Sequence, residues 1–256
     1  MTLETCTEMV RTQDPDRFGA ALVAEAADRP ALITLYALNL EIARAPFLSA
    51  EPMLAEIRLQ WWIDRLAEMG RGVAPPAHDV LTPLWDAWGD KAGALVDLAE
   101  ARRRDCAREP FADPQAVVSY VDATAGLLMW QAARQLGAPT ASRRVVADHA
   151  LGAGLVAWLR ALPQLQPLGL GLAGARPEDP VRLAEIAREA LRRASRAHRS
   201  LPRQVGAALF SGPRVPRFLS EVAAGRIDCF TSTPEITPFQ RRAALARLAV
   251  TGRWWR

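Results

Sequence analysis

The run Leu35-Tyr36-Ala37-Leu38-Asn39-Leu40-Glu41-Ile42-Ala43-Arg44 presents apolar side chains around most of a helical circumference and carries two charges, Glu41 and Arg44. With Leu32 and Ile33 just before it, the pattern predicts a helix buried at the centre of a bundle rather than a surface helix with one apolar stripe. Asp28-Arg29-Pro30 marks its start, because Asp can cap and Pro loses nothing in a first turn whose N–H groups have no partner. Pro46 marks its end.

Working outward, Asp14-Pro15 predicts the first helix, with Phe18, Leu22 and Val23 on its apolar side. Ser49 is placed to cap a third helix over residues 50–69, with Leu54, Ile57 and Trp61 lining one apolar face. Further helices are expected over 78–88, 91–108, 120–136, 142–161, 183–201, 205–209, 215–223 and 237–251. A Pro- and Gly-rich loop covers 163–180. Alternation of the kind strands need is scarce. The expectation is an all-α fold, one domain over residues 1–256, built around a single substantial core.

Half of the residues are hydrophobic and the net charge is only +4, but the charge is unevenly spread. Residues 1–133 hold 12 Lys/Arg and 20 Asp/Glu, a net of −8, whereas 134–256 hold 20 Arg and 8 Asp/Glu, a net of +12. Such asymmetry can attract an anionic surface or draw the two halves together. Cys6, Cys106 and Cys229 are odd in number and far apart, giving neither a disulfide framework nor a zinc spacing. No long apolar core marks the N-terminus as a secretory signal, and no stretch approaches 18 uncharged apolar residues. A cytoplasmic protein is expected, peripheral at most to the inner face of a membrane.

Several motifs carry less than their letters suggest. Gly169-Leu170-Gly171-Leu172-Ala173-Gly174 spells a dinucleotide fingerprint, but prolines on both sides replace the strand and helix that motif requires, so a flexible connection is expected. His78, His149 and His198 form no ligand set. Arg188, Arg192, Arg196, Arg199 and Arg203 recur at helical spacing opposite Leu183, Ala187, Ala190, Ala194, Ala197 and Leu201. They form either a solvated face or a contact for an anionic surface. Nucleic acid is not expected, since no stacking platform accompanies the charge. Arg253-Trp254-Trp255-Arg256 either meets a membrane interface or protein groove, or folds back to seal the bundle.

At Leu35–Arg44 and its surroundings the sequence resembles the squalene/phytoene synthase family, in particular its non-catalytic branch, which includes the mitochondrial complex I assembly factor and its bacterial relatives. The matching pieces include Asp14-Pro15-Asp16-Arg17-Phe18, Arg29-Pro30-Ala31-Leu32, Tyr36–Arg44, Glu56-Ile57-Arg58-Leu59-Gln60-Trp61-Trp62, Tyr120 with Thr124-Ala125-Gly126, and Gly152 through Pro163. The C-terminal third matches mainly in helix spacing. The resemblance implies an isoprenoid-synthase-like bundle around a central cavity. In active members, aspartate-rich motifs on facing helices bind magnesium ions that hold a prenyl diphosphate and help it leave. Here the first aspartate pair falls on Ala43 and Arg44, and the second motif's acids fall on Ala161 and about Leu165.

Alanine offers magnesium no oxygen, and an arginine repels it. The resemblance therefore implies a catalytically silent protein, with no cofactor, assisting assembly of a respiratory membrane complex or acting through a bound lipid. Two alternatives stay open. One is a divergent prenyl-diphosphate transferase, which alone would need magnesium. The other is a lipid-phosphate module in which Arg44 and Arg160, helped by Arg58, clamp the phosphate. Candidate cavity or ligand contacts are Tyr36, Asn39, Glu41, Arg44, Arg58, Gln60, Trp61, Asp64, Tyr120 and Arg160. Glu41 needs a cationic partner such as Arg58 or Arg160, and Arg44 has Glu41 or Glu51 within reach along the chain.

Overall fold

Prolines in first turns set the opening helices of this computed structural model, which describes residues 2–49 and 51–254. The chain divides into two compact units, 1–107 and 108–256. In the first, α1 (Leu3–Gln13) precedes α2 (Pro15–Val23), so a helix lies upstream of the expected starting point. The Asp14 carboxylate accepts from the Arg17 N–H at 3.0 Å, capping α2 as its sequence suggests. By contrast Asp28 makes no side-chain cap for α3 (Arg29–Arg44); its own backbone is already helical, which aims the carboxylate away from the first-turn amides. Leu32 through Asn39 are buried without a break, as expected of a bundle-centre helix. A 3-10 turn, Ala45–Phe47, ends it at Pro46.

Next come α4 (Pro52–Gly70) and α5 (Leu81–Trp88). Residues 91–108 do not form one helix. A 3-10 segment Gly89–Leu95 leads into the short α6 (Val96–Glu100) and α7 (Arg103–Ala107). In this unit α3 packs on α1 and α5, while α4 packs on Gly89–Leu95, α6 and α7.

The second unit begins with α8 (Pro114–Val121), capped by Asp113, then a π turn Asp122–Gly126 and α9 (Leu127–Gln135). The expected helix over 120–136 is therefore two helices separated by one widened turn. At the centre lies α10 (Arg143–Leu165), which runs through Pro163 instead of stopping before it. α11 (Glu178–Arg196), α12 (Val215–Ala223) and α13 (Pro238–Thr251) follow. The core shared by α10, α11 and α12 contains Phe111, Leu155, Leu159, Leu183 and Phe218.

Gly152 and Gly154 place α10. A Cβ on Gly152 would fall 2.5 Å from Leu191 Cγ and 2.9 Å from the Ala187 carbonyl of α11. One on Gly154 would fall 2.5 Å from Val121 Cγ1 and 2.8 Å from Ala125 Cβ. Bare backbone is what lets these helices approach so closely. With its flanking turns (Thr140–Leu168), α10 is long and apolar enough to cross a membrane by length and composition, but 72% of an 18-residue apolar window within it is buried inside the fold. A soluble core helix has the same character. Among the described residues the only β feature is an isolated bridge between Phe111 and Leu172, so the fold is all-α.

Candidate functional site

The end of α3 carries the residues that stand where the family's first acids would be. Ala43 is half-buried and Arg44 exposed. Arg44 Nη2 donates to both Glu41 oxygens, at 2.7 and 2.8 Å, one helical turn back. Glu41 is thus neutralised within its own helix rather than by Arg58 or Arg160. Its side chain is mostly covered and Arg44's half exposed. One turn earlier Asn39 is buried, and its Oδ1 has no hydrogen-bond partner. Tyr36 is buried as well, with the Arg17 guanidinium 5.7 Å from its ring centre. Burial pushes the Tyr36 hydroxyl up to about 12, so it stays protonated at neutral pH.

A polar network between α4, α6 and α7 brings together two expected residues and three that sequence reading did not single out. Arg103 is its hub. It donates to Glu100 at 2.5 Å, to Glu56 at 2.7 Å and to the Gln60 side-chain oxygen. Gln60 in turn donates to Asp64 at 2.7 Å. Hydrogen bonds to Glu100 and then Glu56 hold the guanidinium further above its ordinary value, so it is a permanent cation. Glu56, Gln60 and Asp64 at i, i+4, i+8, opposite the run Arg102-Arg103-Arg104, are the signal in the sequence that marks this network.

The apolar face of α4 is the largest departure. Leu54, Ile57 and Trp61 line the outside, with exposures of 42%, 59% and 37%, while Ala55, Leu59, Trp62, Ile63, Leu66 and Met69 are buried. Both faces are apolar, so periodicity alone could not choose between them. Trp61 lies edge-to-face with Trp62 at 5.1 Å, and both indoles border His78. Arg58 is exposed on the same outer side.

In the second unit, Arg160 on α10 sits 4.9 Å over the Phe218 ring and donates to the Pro213 carbonyl at 3.0 Å. Ala161 and Leu165, at the second motif's acid positions, are half-buried hydrocarbons. Tyr120 packs on Phe111 with ring centres 5.2 Å apart. The glycine-rich segment is pinned. Phe111 N–H donates to Gly171 O at 2.7 Å, Ala173 N–H to Phe111 O at 2.8 Å, and the Gln166 amide makes two bonds to the Leu172 backbone. Leu170 and Leu172 are core residues. The loop proper is also shorter than expected, lying between a 3-10 turn Gln166–Leu168 and α11.

The arginine stripe divides. Leu183, Ala187, Ala190 and Ala194 are buried as anticipated. On the other side Arg188 is half-buried and Arg192 and Arg196 are exposed, with Glu189 3.8 Å from Arg192. α11 ends at Arg196, so Arg199 and Arg203 stand on separate 3-10 turns. Arg203 donates to the Val250 carbonyl at 2.8 Å. Trp254 is buried, edge-to-face with His149 at 4.7 Å, so this indole folds back on the bundle; Trp255 and Arg256 lie outside the described residues.

Among the described residues, no group of three or more His, Cys, Asp or Glu could hold a metal ion. The residues on which the sequence resemblance places the two acid motifs, Ala43, Arg44, Ala161 and Leu165, offer magnesium no ligand oxygen from their side chains, and Arg44 is bound to a carboxylate. The three cysteines are buried and outside any disulfide, and burial pushes the thiols of Cys6 and Cys229 up to about 11.

The family model for squalene/phytoene synthase matches residues 10–169. An NADH dehydrogenase (ubiquinone) complex I assembly factor 6 from Bos taurus is 23% identical, over 98% of this chain and 81% of its own length. Among solved structures, a dehydrosqualene synthase superposes with a TM-score of 0.76 at 11% identity, covering 97% of this chain and 95% of that one. A squalene synthase from Alicyclobacillus acidocaldarius gives 0.65 at 16% identity, covering 98% and 94%.

Proposed function

The chain belongs to the squalene/phytoene synthase family, and from that premise we propose that it is a non-catalytic member acting as an accessory factor in the assembly of a respiratory membrane complex. The observation that carries this reading is the Glu41–Arg44 pair. Where a diphosphate-ionising enzyme needs free carboxylates to hold magnesium, this helix offers a methyl group and a guanidinium that closes on the nearest acid. Leaving diphosphate concentrates charge on oxygen, and without metal ions or unengaged cations that charge is left unstabilised. Arg160 is likewise engaged with a backbone carbonyl of its own unit.

The similarity to the bovine assembly factor, over 98% of this chain and 81% of that protein, supports the choice of role. The protein works in the cytoplasm, peripheral to the inner face of the membrane. Incubation with allylic prenyl diphosphates and Mg²⁺ is expected to release no diphosphate above a denatured control. Sustained turnover would establish the transferase alternative instead. Affinity purification after mild extraction is expected to recover a respiratory assembly intermediate, and recovery of none under several detergents counts against the role.

A further inference from the structure

We infer that the outward face of α13 is the surface by which this protein lies on an anionic lipid bilayer. The inference rests on the peripheral placement proposed above and names the surface responsible. α13 is held to its unit by little. Leu248 is its only buried residue among those described, and Arg203 fastens its far end through the Val250 carbonyl. Its N-terminus is secured by a capping box between Thr237 and Gln240, so the helix is well formed although poorly covered.

What it shows to solvent is ordered. Phe239, Ala243, Ala246 and Val250 follow at spacings of four, three and four, which places them along one face. All four are exposed, Phe239 and Val250 at 79% and 78%. Arg242 and Arg247 flank this apolar line, one on each side, and both are exposed. Glu235 is the last acid in the chain, and the 21 residues after it contain five arginines. An apolar line bordered by arginines with no carboxylate is the composition that settles helices into the boundary between anionic headgroups and acyl chains. The exposed apolar face of α4 lacks this signature, since Glu51, Arg58 and Asp64 border it with both signs.

The test is co-sedimentation of the full chain with vesicles of equimolar phosphatidylcholine and phosphatidylglycerol, and with vesicles of phosphatidylcholine alone. Binding is expected to the first, to weaken as salt rises, and to be much lower on the second. Arg242→Glu should reduce partitioning about fivefold or more, from the attraction of one basic residue near such a surface. A double variant, Phe239→Asp with Val250→Asp, should abolish it. If the double variant fails to fold, Arg242→Glu and Phe239→Ala at exposed positions still decide the matter.

Wild-type binding that these variants leave unchanged overturns the α13 surface but not the peripheral placement. No binding by the wild type to either vesicle overturns both. Equal binding to neutral vesicles, or displacement from the anionic ones by a polyglutamate chain at matched ionic strength, overturns the lipid assignment.

Discussion

Gly152 shows most directly how a single residue governs this fold. Replacing it by Ala should gain about 1 kcal/mol in helix propensity. Against that, the new methyl meets Leu191 Cγ at 2.5 Å and the Ala187 carbonyl at 2.9 Å, and the carbonyl belongs to a helix that cannot yield as a side-chain tip would. Overpacking costs about 1–3 kcal/mol. The expected outcome is a net loss for Gly152→Ala, seen as a lower midpoint in urea. A midpoint at or above the wild type would mean that α10 and α11 separate easily. The sequence carries a trace of this, since two glycines within a helix cost propensity and call for a close neighbour. It could not tell which neighbour, because Leu191 and Val121 are brought to these glycines by tertiary packing alone.

At the level of elements, helix positions were readable and helix faces were not always so. α3 announced its burial through apolar residues around most of its circumference, and Pro30 and Pro46 bounded it well. α4 carries apolar residues on two sides, and the side that packs was settled by the contacts of Leu59, Leu66 and Met69 with the rest of the unit. Truncation separates the two sides. Leu59→Ala should cost about 2–5 kcal/mol as a buried cavity, whereas Ile57→Ser should fall within about 0.5 kcal/mol of the wild type. Comparable losses for both would show that the outer face is covered in solution. The interrupted helix over 89–107 and the π turn at 122–126 were invisible beforehand, because neither a widened turn nor a 3-10 stretch leaves a period of its own. The glycine-rich letters at 169–174 read as a flexible connection, whereas the segment is tied down by backbone bonds. Their tie to Phe111 was not legible, since it joins residues some 60 positions apart.

For the molecule as a whole, the family was legible because motif order survives along most of the chain even where the acids do not. The family model stops at residue 169, and beyond it only helix spacing carried the resemblance. Of the candidate site, the sequence shows alanine, leucine and arginine where the resemblance places acids. Arg44 with Glu41 is one of the two pairings read along the chain, whereas Arg103 with Glu56 and Glu100 depended on rotamers and neighbours that spacing does not fix.

One global property follows from His149. Burial pushes its imidazole down to about 4, and its Nε2–H donates to the Leu209 carbonyl at 2.7 Å. The unfolded chain takes up this proton near 6.5 while the folded chain resists until about 4. Stability is therefore fully present above about 6.5 and is lost as the pH falls toward 4, with a slope approaching about 1.4 kcal/mol per pH unit. A thermal melt repeated from pH 7 to 4.5 should show this fall, and His149→Gln should flatten it. An unchanged profile in that variant would place the acid sensitivity elsewhere.

The two glycines of α10 lie two residues apart, close to opposite sides of the helix, since each residue turns it by about 100°. The helix therefore behaves like a shaft with a slot cut on either side, each slot holding a different neighbour. Such a shaft can neither spin nor slide without lifting both neighbours at once. The angular position of Arg160, two turns further on, is set by that double key together with its own hold on Phe218 and the Pro213 carbonyl. Mutations that alter what α10 presents at its C-terminal end can thus arise at Leu191 or Val121, the residues seated against its two glycines.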